Sequence, residues 1–329
     1  MSFAARLERA WYEGAFWLCL LWPLEGLFRA VVALRRGLYR RGTLRSYRAP
    51  VPVVVVGNIT VGGTGKTPVV IALVEALQQA GLRPGVVSRG YGGRAPLYPH
   101  RLSEISLASD AGDEPLLIYQ RTGAAVVVDP LRARAVQALE QEVDIVLCDD
   151  GLQHYALARD YEIAVLDAAR GMGNGHCLPA GPLREPAVRL DEVNFRLRRG
   201  SDSPEEGVRY TLGRVRRLDG CDELSLEAFA SAGPCRAVAG IGQPQQFFDT
   251  LKAAGLQFSE HSFADHHTYT EADFLGMSGG RIIMTEKDAV KCRAVLPAER
   301  LAEAWYLPID ATLPQALLDE VVALARRAD

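Results

Sequence analysis

Residues 51 to 70 read VPVVVVGNITVGGTGKTPVV, and Gly65-Lys66-Thr67 near the end of that stretch is suited to holding phosphate. Glycines let a backbone come close to a phosphate with successive N–H groups turned inward, and a helix starting there adds the positive end of its dipole. In such a loop the lysine reaches the β- and γ-phosphates and the following hydroxyl binds Mg²⁺, the roles expected of Lys66 and Thr67. The usual spacing, G-x-x-x-x-G-K-[ST], asks for a glycine where Thr60 stands. That weakens the pattern without removing an essential donor. The nucleotide loop expected here comprises Thr60, Gly62, Gly63, Thr64, Gly65, Lys66 and Thr67, and Pro68 is tolerable near a helix start.

Acids and histidines elsewhere could complete such a site. DIVLCDDGLQH sets Asp149 and Asp150 just after an apolar run, where a Walker B acid would hold Mg²⁺. Adjacent side chains point apart, so one of the two is the main metal partner. SDAGDEP contributes Asp110, Asp113 and Glu114 in a loop, and FADHHTYT contributes Asp265, His266, His267 and Tyr269. An imidazole oriented by an aspartate is a suitable base for an alcohol hydroxyl. VSRGYGGR carries Ser88, Arg89, Tyr91 and Arg94, and an arginine fork there would bind substrate phosphate. Arg89 and Tyr91, with Arg184 further on, are the candidate substrate contacts.

The elements that must position these residues follow from periodicity. VPVVVVG is a β-branched run before a Gly-rich loop, hence a buried strand, and TPVVIALVEALQQAG has helical spacing that stops at Gly81. RPGVV, AAVVVDP, VDIVLCDDG and YEIAVLDA read as further strands, with LRARAVQALEQ a helix among them. The alternation predicts an α/β fold, a mostly parallel P-loop NTPase-like sheet. Residues 171 to 215 look irregular. A second α/β pattern follows in CRAVAGIGQP, QQFFDTLKAAG, RIIMTEKDA, AWYLPID and PQALLDEVVALARRA. The expected division is 1–48 as an apolar and basic segment, 49–195 as the P-loop core, 196–215 as a linker and 216–329 as a smaller α/β domain, whose last helix is free to pack back on the core.

The chain has 329 residues and a net charge of −3, which gives no case for nucleic acid. Its 6 cysteines form no C-x-x-C pair, so neither a disulfide framework nor a zinc site is expected. GAFWLCLLWPL, residues 14 to 24, is too short to span a bilayer, which takes roughly 20 residues. Arg29, Arg35, Arg36, Arg40, Arg41, Arg45 and Arg48 follow it. Aromatic and apolar residues followed by arginines suit a helix lying in the interface of an anionic membrane.

Taken together, GNITVGGTGKTP, SRGYGG, GDEP, DDGLQH, LPAGPLREP, FADHH and TEKDAVK resemble the tetraacyldisaccharide 4′-kinase family of lipid A biosynthesis. The blocks span residues 57 to 291 in the family's order, and a small hydroxyl residue at the Thr60 position is itself family-like. The resemblance implies ATP-dependent phosphorylation of the 4′-hydroxyl of a lipid disaccharide 1-phosphate, with ATP and Mg²⁺, in a membrane-facing cleft between two α/β domains. It implies a peripheral enzyme on the cytoplasmic face of the inner membrane, expected to be a monomer. By position, Asp113 matches the catalytic acid, Glu114 a metal-associated acid and His266 the histidine that works with Asp113. Which of that pair finally holds the proton is left open, since a coupled pair titrates jointly. Two other classes compete with this reading. A P-loop GTPase or regulatory ATPase would have no small-molecule acceptor, and TEKD has the letters of a guanine-reading motif in the wrong order. A membrane scaffold would keep a nucleotide fold without catalysis.

Overall fold

The computed structural model describes residues 3–277 and 279–327. The strands used below, numbered in chain order, are β1 (Val53–Gly57), β2 (Pro84–Ser88), β3 (His100–Arg101), β4 (Ala125–Val128), β5 (Ile145–Asp149), β6 (Tyr161–Asp167), β7 (Phe195–Arg199), β8 (Gly207–Leu212), β9 (Val215–Arg217), β10 (Glu223–Leu224), β11 (Cys235–Ala239), β12 (Phe258–Ser262), β13 (Ile282–Thr285) and β14 (Ala304–Leu307). The chain forms two compact units: residues 1–89, 130–209 and 312–329 make the first, and residues 90–129 and 210–311 the second.

In the first unit the strand order is β8-β7-β6-β1-β5-β2. Neighbours along it pair in parallel, with Val56 opposite both Asp149 and Ile163. Every residue of β1, β2, β5 and β6 is buried, as expected of a parallel sheet covered on both faces. Gly65, in the left-handed region at φ 79°, turns the chain into the helix Lys66–Gln79. That helix buries Val69, Val70, Leu73, Val74 and Leu77, spaced by three or four, which is the stripe that fixes a helix on a sheet. Each such side chain is worth about 1.5–3 kcal/mol when buried. The last helix, Gln315–Arg326, packs on Lys66–Gln79 and approaches β6 through Glu320 and the Tyr161 hydroxyl.

The N-terminal segment forms a helix Phe3–Glu13, a 3₁₀ turn Phe16–Leu21 and a helix Trp22–Arg40. One side of the last helix is tied down. Glu25 meets His176 Nδ1 at 2.7 Å and accepts from the Cys177 N–H at 2.9 Å, Trp22 stacks on His176, and Arg36 and Arg40 both pair with Glu192. Another side, in line with Leu20 of the 3₁₀ turn, is an open apolar stripe of Leu24, Leu27, Val31 and Leu34, all at least half exposed, at spacings of four and three residues.

In the second unit the main sheet runs β10-β9-β14-β13-β11-β12. The four strands β14, β13, β11 and β12 are parallel, and β9 and β10 are antiparallel additions. Alternate residues serve two cores. Ala237 and Ile283 join Phe229, Phe247, Phe248 and Trp305 on one face, while Val238 and Ile282 join Tyr269, Phe274 and Met284 on the other.

The observed division interleaves the two units, where the sequence suggested consecutive domains. Residues 90–129, read as part of the P-loop core, belong to the second unit. Their helix Asp113–Thr122 packs against the helix Glu286–Cys292, and Arg121 pairs with Glu286 at 3.0 Å. The expected linker at 196–215 contains most of β7 and all of β8. β7, FRLRR, carries three arginines and β8, GVRYTL, is mostly exposed, with Val208 its one buried residue, so neither shows the apolar run or clean two-residue alternation that would mark a strand.

Candidate functional site

The phosphate loop leaves β1 and passes through Asn58, Thr60 and the glycines before the helix begins at Lys66. Arg184 N–H donates to the Ile59 carbonyl at 2.6 Å and Val61 N–H to the Pro182 carbonyl at 2.8 Å, so LPAGPLREP runs antiparallel along the approach to the loop. Thr60 is buried and its hydroxyl accepts from Asn58 Nδ2 at 3.3 Å. Asn58 Oδ1 in turn accepts from Lys66 Nζ at 3.4 Å. The residue standing in place of the usual glycine thus aligns an amide that steadies the lysine. Asn58 was not singled out in the sequence, although it lies in GNIT.

Asp149 and Asp150 sit at the end of β5. Asp149 is buried and accepts from the Ser88 hydroxyl at 3.4 Å. Asp150 pairs with Lys66 Nζ at 3.4 Å and with Arg184 Nη1 at 3.0 Å. Burial pushes the Asp150 carboxyl up, but the charges of Lys66 and Arg184 outweigh it and hold the group below the usual carboxylate range. Asp150 also has φ 48°, a left-handed conformation unusual for a residue other than glycine and typical of functional turns. Arg132, buried and also absent from the sequence-derived set, donates to the Asp150 carbonyl at 3.2 Å. The carboxylates and the Thr67 hydroxyl are hard oxygen donors beside a phosphate loop, the donor set that suits Mg²⁺. Arg89 lies in an electropositive region. Burial, then the charges of Arg132, Arg159, Arg35 and Arg89, push the His154 imidazole down to about 4, so His154 is neutral at physiological pH.

The second unit holds a separate constellation. Asp113 opens the helix Asp113–Thr122 directly after Gly112. Gly112 has φ +87°, and a side chain there would meet the Tyr91 carbonyl at 2.6 Å. A side chain on Gly93 would strike the Asp110 carbonyl and the Gly112 nitrogen, both at 2.5 Å. SRGYGG and GDEP therefore interlock through backbone, which explains glycines that a loop alone does not require. Asp113 is buried, and its Oδ2 faces His266 Nδ1 at 3.2 Å across 153 residues of sequence. His266 has φ 57°, again left-handed, and meets the Tyr91 ring edge-on at 5.0 Å. Burial pushes the Asp113 carboxyl up, but the hydrogen bond from His266 and the charges of Lys291 and Lys287 prevail and leave it below its ordinary value. Glu114 pairs with Lys287 at 3.1 Å. His267 turns elsewhere, to Asp273 at 3.3 Å and a stack on Phe263.

A parallel sheet with a phosphate loop after its first strand and two acids at the end of the adjacent strand defines a P-loop nucleotide-binding protein. Comparison with known proteins gives the family. The model of the tetraacyldisaccharide-1-P 4′-kinase family matches residues 17–326, and the chain belongs to that family. The tetraacyldisaccharide 4′-kinase of Pseudomonas aeruginosa strain LESB58 is 51% identical over 316 residues, covering 94% of each chain. That of Azotobacter vinelandii strain DJ is 51% identical over 333 residues, covering 99% of this chain and 98% of its own. Among solved structures, LpxK from Aquifex aeolicus in complex with ATP superimposes with a TM-score of 0.77 at 26% identity, over 95% of this chain and 99% of that one.

Proposed function

We propose that the protein transfers the γ-phosphoryl group of ATP to the 4′-hydroxyl of a tetraacyldisaccharide 1-phosphate at a membrane surface. Membership of the family supports the reaction, and the pairing of Asp113 with His266 carries the assignment of its proton acceptor. The acceptor oxygen forms a bond to the γ-phosphorus, the bond to the bridging oxygen of ADP breaks, and the hydroxyl proton passes to the Asp113–His266 pair. Lys66 neutralises charge on the phosphates, and Asn58 and Asp150 keep its ammonium in place. Thr67, with Asp149 or Asp150, would hold Mg²⁺, and the bound ion would supply charge neutralisation at the phosphates. Arg89, Tyr91 and Arg184 are the proposed substrate contacts. Such a reaction asks chiefly for positioning and charge stabilisation. The test is transfer from γ-labelled ATP to the lipid acceptor in detergent micelles. Label appearing in the lipid, dependent on acceptor, is the expected result; ATP hydrolysis indifferent to acceptor would refute the reading.

The membrane part of the proposal rests on the stripe of Leu20, Leu24, Leu27, Val31 and Leu34. Among the described residues, Phe16–Arg40 is the one helix long and apolar enough to cross a bilayer. Its other side is committed to His176 and Glu192, so it is proposed to lie in the interface on the cytoplasmic side of the inner membrane, its arginines toward anionic headgroups. Burying each leucine is worth about 1.5–3 kcal/mol. A variant with Leu24, Leu27, Val31 and Leu34 replaced by asparagine should therefore lose at least about tenfold in partitioning to anionic vesicles, at unchanged thermal stability. Equal sedimentation with the vesicles would sink the claim.

A further inference from the structure

TEKDAVK is one of the segments that mark the family, yet the reaction as proposed gives it no task. Its helix, Glu286–Cys292, packs against the helix that Asp113 begins, and its lysines lie one turn apart. Lys287 reaches Glu114 at 3.1 Å. Lys291 lies between two carboxylates, 3.0 Å from Asp288 Oδ1 and 3.6 Å from Asp113 Oδ2. Its side chain is 7% exposed, and the ammonium lies 5.0 Å from the centre of the Tyr269 ring. Two adjacent acids at one helix start are thus matched by two lysines at i and i+4 on another.

The nearer of the two partners is Asp288, which Lys291 meets at Oδ1. It is fully buried, and its Oδ2 already accepts from the Gly240 N–H at 2.9 Å and the Thr285 hydroxyl at 2.6 Å. Both groups that address the Asp113 carboxylate, His266 Nδ1 and Lys291 Nζ, approach Oδ2. The hydrogen bond with His266 is made at Oδ2. A carboxylate hydrogen-bonded at one oxygen by His266 and drawn toward the same oxygen by the charge of Lys291 at 3.6 Å favours one rotation about its terminal bond, which biases the direction of its other oxygen.

We infer that Lys291 is a positioning residue for phosphoryl transfer: it clamps Oδ2 of Asp113 so that Oδ1 is presented to the acceptor hydroxyl. This rests on the reading of Asp113 as the proton acceptor. A conventional buried ion pair serving only Asp288 would leave the reaction indifferent once the charge of Asp288 was removed.

The experiment compares Lys291→Met, Lys291→Arg and the double variant Lys291→Met with Asp288→Asn in steady-state transfer to the lipid acceptor, with thermal unfolding of each. Lys291→Met should lower kcat by about tenfold to hundredfold while both KM values stay within about twofold, because a misplaced group costs rate and not ground-state binding. Lys291→Arg should recover part of the loss. The double variant removes the uncompensated buried charge and should melt close to the parent, with kcat still low. Return of its kcat to the parent value would overturn the inference and leave Lys291 as the counter-ion of Asp288. Asp113→Asn run alongside separates the two ideas. If it is severely impaired while the double variant is fully active, only the role of Lys291 fails; if it is fully active, the base assignment itself fails.

Discussion

Asp113→Asn is expected to lower kcat by on the order of 10²–10⁴-fold, the usual contribution of a positioned base. The substitution preserves shape and leaves the helix start intact, but an amide cannot accept the hydroxyl proton. The new amide would also face His266 and Lys291 without a charge to satisfy them. Binding of ATP should be nearly unchanged, since the residues proposed to hold it are fixed within the first unit by Asn58, Asp150 and Arg184. Titration of ATP into the variant, beside single-turnover transfer to the lipid acceptor, checks both halves. A variant that binds ATP and transfers at the parental rate removes Asp113 from the chemistry. Held below the ordinary carboxylate range by His266, Lys291 and Lys287 despite its burial, Asp113 is ionised throughout the neutral range. It is therefore ready to accept a proton without first losing one.

Lys66→Met should have an effect of similar size by another route. Removing a single preorganised donor to developing charge costs about 10²–10³-fold in rate. Here the lysine also bridges Asn58 and Asp150, so its loss leaves Asp150 to Arg184 alone. We expect a fall of at least about 10²-fold in kcat together with weaker ATP binding, because phosphate contacts act in the ground state as well as the transition state. Asp113→Asn should leave ATP affinity intact, so measuring nucleotide affinity for both variants distinguishes donor binding from acceptor activation. Loss of rate in Lys66→Met with no change in ATP affinity would contradict the assignment of Lys66 to the bound phosphates.

The contrast between these two residues matches what could be read at each level. The phosphate loop is legible from the residues alone, because strand, glycines and helix follow one another within a short stretch. Local pattern there is also local geometry, and Thr60 did not obscure it. The strands of the first sheet announced themselves as β-branched runs, and Asp149 and Asp150 could be placed at a strand end for the same reason. Family membership was legible too, since it is carried by short blocks in order.

What those blocks do to one another was settled by folding in three dimensions. Tertiary packing brought Asp113 and His266 together across 153 residues, set Lys291 against the same carboxylate oxygen, and paired Lys287 with Glu114. It placed residues 90–129 with the second unit and built strands into the stretch 196–215. It also showed which stripe of the helix Trp22–Arg40 remains open, because apolar spacing alone cannot say whether a stripe meets protein or lipid. Long-range pairing depends on helix packing and strand order, and neither leaves a periodic trace in the residues that meet.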